Sequence, residues 1–183
     1  MIIISAHADK VRNESDLSFV KGVHSGLLDN FIGVLVTYLA LYDTSSLRRL
    51  CSDGKIQVFH SLGEEFGVED DFPKVTKEDT VVVVDLGKCD GEADFILENF
   101  YNWSDAEVQE IQEFIDSEKL SCHLSRETKD DDEGHIWSKY GCKTVSFCIP
   151  IQGAYHSDIE LGMGRVVRAR EALKRILCHL VTL

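Results

Sequence analysis

The sequence predicts an α/β protein, a three-layer α/β/α sandwich around a mostly parallel, mixed central sheet. Two observations carry this reading. Short apolar runs rich in β-branched residues alternate with stretches of helical spacing along the 183 residues, as when helices pack onto a sheet. One run, Val81-Val82-Val83-Val84, is apolar at every position, which suits a central strand covered on both faces. The length supports one domain with a substantial core and is short for two, so residues 1–183 read as a single unit.

The elements follow in order. Ile2 to Ser5 reads as a strand. Leu27 to Tyr42 is nearly all apolar and long enough for a deeply buried helix. Ile56 to His60 and Thr80 to Val84 are the next strands. Ser104, with Glu107 three residues on, forms a capping box ahead of Val108, Ile111 and Ile115, so a helix starts there. Leu120 to Leu124 is a further strand candidate, and Thr144 to Ile149 another. Asp130-Asp131-Asp132-Glu133-Gly134 reads as a solvated loop between them. A last helix runs from about Glu160 to Leu180, with Met163, Val166, Val167, Leu173, Ile176, Leu177 and Leu180 on one stripe.

Composition removes several classes of function. Apolar residues make up 44% and charged residues 28%, with two prolines, which excludes a disordered or low-complexity chain. The net charge of −13 opposes binding to nucleic acid or anionic membranes, and no segregated basic patch offsets it. No apolar run approaches the roughly 20 residues of a membrane span. The amino-terminal residues lack the basic region of a secretory signal. The six cysteines never occur as C-x-x-C, so reduced thiols in a cytoplasmic protein are the expectation.

The chemistry-bearing residues follow the strands. His7-Ala8-Asp9 comes after Ile2-Ile3-Ile4, Glu64-Glu65 after the strand ending at His60, Asp85 after four valines, and His156 after Thr144 to Pro150. Taken singly, each has an ordinary explanation as a surface turn or cap. Open α/β sheets, however, hold ligands outside the carboxyl ends of parallel strands, and there these residues would converge. Asp29, where the buried helix begins, fits the same edge. Close carboxylates of this number ionise together only with raised pKa values or bound cations. Imidazole with carboxylate favours zinc, manganese or cobalt over magnesium or calcium. His24, His60, His123, His135 and His179 lack this placement and read as structural.

The ordered motifs His7-Ala8-Asp9, Leu28-Asp29-Asn30-Phe31-Ile32-Gly33, Gly63-Glu64-Glu65-Phe66-Gly67, Val84-Asp85-Leu86-Gly87 and Ile149-Pro150 through Tyr155-His156-Ser157 resemble the dinuclear zinc exopeptidase superfamily. That superfamily includes the bacterial leucyl and tetrahedral aminopeptidases, carboxypeptidases and deacylases. The resemblance implies that His7 and Asp85 hold one metal, Glu65 and His156 the other, and that Asp29 bridges them. It implies Asp9 as the residue that fixes the His7 ring, Glu64 as general base for a metal-activated water, and a cis peptide bond between Asp29 and Asn30. Three ligand carboxylates against two divalent ions leave +1, which a bridging hydroxide would neutralise.

Only 21 residues separate His7 from Asp29, too few for the inserted lid or dimerisation domain of many relatives. The pocket would then come from short loops, with Gly91 to Trp103 and Asp130 to Gly134 as candidates, or from a second subunit of a homo-oligomer. The leading expectation is an aminopeptidase acting on small peptides or related amides. A metal-binding interaction module of the same fold is the alternative. A flavodoxin-like domain ranks last, because no phosphate-binding glycine loop is present.

Overall fold

The computed structural model describes residues 1–8, 18–26, 28–61, 73–89, 92–128, 133–152 and 159–183. In chain order the elements are β1 (Ile2–Ser5), β2 (Ser18–Val20), β3 (Val23–Gly26), α1 (Phe31–Asp43), α2 (Ser45–Ser52), β4 (Ile56–Phe59), β5 (Thr80–Lys88), β6 (Phe95–Tyr101), α3 (Asp105–Ser117), β7 (Cys122–Leu124), α4 (Glu133–Ser138), β8 (Lys143–Ile151), β9 (Ile159–Gly162) and α5 (Met163–Leu180).

Six strands form one sheet in the order β4-β1-β5-β8-β6-β7. The first four are mutually parallel. β6 runs antiparallel to β8, and β7 parallel to β6. β2, β3 and β9 make a small antiparallel sheet of their own. The four valines of β5 are at most 1% exposed, as expected of a strand covered on both sides.

Alternation along the strands divides the core. Ile2, Ile4, Val82 and Val84 face the larger cluster, packed by residues of α1, α3 and α5 such as Ile32, Val36, Ile111, Leu173 and Ile176. Ile3, Val81 and Val83 face a smaller cluster around Trp137 of α4 and Cys142. Sheet and two helical layers match the expected architecture, although the second layer is thin.

Local signals account for the helix starts. Asn30 caps α1 and Thr44 caps α2. The Ser104–Glu107 capping box forms in full at α3. α5 begins where β9 ends, with the Met163 amide donating to the carbonyl of Gly22 at 2.6 Å.

Several expectations need correction. α1 begins at Phe31 rather than Leu27, and it is not buried all round: Tyr38, Leu39 and Tyr42 are exposed. The last helix starts at Met163, since Ile159–Gly162 is strand, and Val167 points to solvent. Phe95–Tyr101, within the stretch assigned to the pocket wall, is an interior strand. Glu133, assigned to a solvated loop, is 2% exposed and opens α4. Cys178 is exposed, whereas Cys142 and Cys148 are buried. Among the described residues, no helix is long and apolar enough to cross a membrane.

Candidate metal centre

His7 lies just beyond β1 because the parallel pairing with β4 continues past the strand. The Ala6 amide donates to the Phe59 carbonyl at 3.1 Å, and the Ala8 amide to that of Ser61 at 2.9 Å. The His7 ring is buried. Asp85 lies within β5, in register with Cys148 of β8, and its Oδ1 accepts from the Leu86 amide at 2.7 Å.

Asp29 is carried to the same edge by its neighbour. The Asn30 side-chain oxygen accepts from the Gly33 amide at 2.9 Å, capping α1, while its amide group donates to the Val84 carbonyl at 2.6 Å. One side chain thereby ties the start of α1 to β5, one residue before Asp85. Gly33 is required for this: a Cβ there would sit 2.0 Å from Asn30 Oδ1. The Asp29–Asn30 peptide bond is cis, as the resemblance implied.

The three side chains meet. His7 Nε2 lies 3.3 Å from Asp29 Oδ1 and 3.4 Å from Asp85 Oδ1. One ligand atom from each falls within 4.8 Å of the others, the one such group of His, Cys, Asp or Glu among the described residues. Burial pushes the Asp85 carboxyl up to about 7. His7 opposes that shift, the charge of Asp29 reinforces it, and the Leu86 amide opposes it. Two carboxylates facing one imidazole carry more negative charge than a buried site holds cheaply. The set of one nitrogen and two oxygen donors fits a divalent cation of the zinc, manganese or cobalt kind.

Of the other residues assigned to the site from sequence, Asp9, Glu64, Glu65 and His156 lie outside the described residues. Two residues with structural work at this edge were given no role from sequence. Asn30 stood inside a quoted motif, and its side-chain oxygen three residues before Gly33 is a cap signal. Glu133 had no local signal.

No protein-family model matches the sequence, and no curated protein matches it. Solved structures do match. The TET aminopeptidase of the marine sediment archaeon Thaumarchaeota archaeon SCGC AB-539-E09 is 18% identical, covering 88% of this chain and 51% of its own, with a TM-score of 0.59. The fold is that of the aminopeptidases. An M18-family aminopeptidase from Thermotoga maritima aligns at 8% identity over 90% of this chain and 48% of its own, TM-score 0.60. Yeast aminopeptidase 1 aligns at 10% over 93% and 48%, TM-score 0.62. The chain therefore spans about half the length of the structures it matches. Within the aminopeptidase fold, His7, Asp29 and Asp85 occupy the carboxyl edge of the parallel strands, where ligands of open α/β sheets bind.

Proposed function

We propose that the protein is a dinuclear metal-dependent hydrolase, an aminopeptidase acting on small peptides or related amides. The observation that carries this reading is the convergence of His7, Asp29 and Asp85, from three separate segments, at the carboxyl edge of an aminopeptidase fold. In this reading His7 and Asp85 hold one ion, Glu65 and His156 the second, and Asp29 bridges the two. The described neighbours favour it. Ile159, three residues after His156, pairs with Gly26, three residues before Asp29. Ser61, three residues before Glu64, accepts from Ala8 beside His7.

Bound zinc, or manganese or cobalt in its place, supplies Lewis acidity to the scissile carbonyl and makes a water more acidic. The chain does the rest. Asp9 accepts from the second ring nitrogen of His7 and so fixes its tautomer. Glu64 takes the proton of the attacking water and returns it to the departing amine. Asn30 keeps Asp29 beside Asp85 through Val84. The short spacing between His7 and Asp29 leaves no room there for a lid or dimerisation insert, and in this reading a homo-oligomer in the cytoplasm supplies further pocket walls. The Pyrococcus horikoshii TET1 peptidase, 13% identical with a TM-score of 0.60, can itself assemble into a tetrahedron or a large octahedral shell.

Metal analysis by mass spectrometry with a peptide and amide substrate screen, on wild type and Glu64→Gln, tests the reading. Two metals per chain in both proteins and turnover in the wild type alone are expected. Two metals with no hydrolysis in either would make the protein a metal-binding module, and equal turnover in both would remove Glu64 from the mechanism.

A further inference from the structure

We propose that Glu133 is a positioning residue that clamps together the two chain segments leading to His7 and to the Glu64–Glu65 pair. The inference deepens the metallohydrolase reading and, for its catalytic consequence, rests on it. Glu133 is 2% exposed, on the second face of the sheet. Its Oε2 accepts from the Ser5 hydroxyl at 2.9 Å, and its Oε1 accepts from the hydroxyl of Ser61. Trp137, fully buried one helical turn on, donates its indole N–H to Ser5 Oγ at 3.2 Å. The Ser5 hydroxyl is thus fixed as acceptor from Trp137 and donor to Glu133.

Two hydroxyl donors, one on each oxygen, suit an ionised carboxylate, which only accepts. An amide could serve one of them. The placement gives the clamp its purpose. Ser5 and His7 are two residues apart on an extended segment, so they share a face, and Ser61 is three residues before Glu64. Backbone bonds from Ala6 to Phe59 and from Ala8 to Ser61 join the same two segments. Glu133 adds a side-chain bolt at the point where the β1–β4 ladder runs out. Groups that orient metal ligands from behind affect metal affinity or activity by 10- to 100-fold, and Glu133 should fall in this range.

The test uses Glu133→Gln, with Ser61→Ala as the milder variant should the first fail to fold. In metal-free protein, hydrogen exchange of the Ala8 amide is expected to accelerate about tenfold or more, while that of Val82 in the sheet interior keeps its wild-type rate. Cobalt titration is expected to give weaker binding by about 10-fold or more and a shifted visible d–d spectrum. With cobalt bound, kcat should fall and KM hold. Unchanged Ala8 exchange in the variants overturns the clamp. Variants that only unfold more easily, yet bind cobalt with the wild-type spectrum and affinity, overturn its role at the site. A wild type that takes up no cobalt defeats the metallohydrolase reading instead, and the clamp is then decided by Ala8 exchange alone.

Discussion

The two edges of the central sheet treat their carboxylates in opposite ways. At the amino edge, Lys143 opens β8 and forms an ion pair with Glu107 of the α3 capping box, its ammonium 5.4 Å from the centre of the Trp103 ring. That Lys143 partner, helped by Ser104, holds Glu107 well below its ordinary 4.5, at about 2. A cavity of about 630 Å³ lined by Trp103, Glu107 and Lys143 lies there, with no ligating cluster among its described residues. At the carboxyl edge, Asp85 of the neighbouring strand is raised to about 7, because burial and Asp29 outweigh what His7 provides. Glu107 has Lys143 as its countercharge. Asp29 and Asp85 instead face His7, and in the proposed metallohydrolase reading a cation completes them.

Removing a donor at the carboxyl edge should have the largest effect. Asp85→Asn is expected to weaken zinc binding by on the order of 100-fold or more, above the range for groups that only orient a ligand, as read by competition with a chromophoric chelator. Gly33→Ala strikes the same edge through the fold. Its new Cβ must displace the Asn30 side chain, costing the α1 cap and the bond to Val84, about 2 to 4 kcal/mol together in urea unfolding.

The amino edge should respond more mildly. Lys143→Met is expected to cost about 1 kcal/mol or less at pH 7, since the pair is partly exposed. Its pH dependence has a definite sign. A carboxyl lowered on folding stabilises the protein above about pH 4.5, and this contribution is lost as pH falls towards 2. Wild type and Lys143→Met should therefore converge in stability across that window. Ser104→Ala, which removes the cap hydroxyl of α3, should cost about 1 kcal/mol in thermal unfolding.

What was legible in the sequence follows the same division between local and distant causes. β1, β4, β5 and β8 stood out because apolar runs mark buried parallel strands; the end of β1 pointed to His7 and the end of the valine run to Asp85, although β5 continues past Asp85 to Lys88. The capping box gave the start of α3. β6 did not stand out, because Glu98 and Asn99 interrupt its apolar run, where the pairing slips and Asn99 takes a positive φ of 57°. α2 is only eight residues long, so its stripe of Leu47, Leu50 and Cys51 is too short to stand out as a period. β2, β3 and β9 are three or four residues long, too short for a period to emerge. Glu133 was hidden most completely: its run of acidic neighbours looks solvated, and its partners lie 128 and 72 residues away.

Calorimetric titration of zinc into chelator-stripped protein, run in parallel on wild type and on His7→Ala, tests the meeting of His7, Asp29 and Asp85 most directly. Saturable uptake of two ions by the wild type, with binding lost or weakened at least tenfold in the variant, is the expected result. Absence of uptake by folded wild type, or identical isotherms for the two proteins, would contradict it.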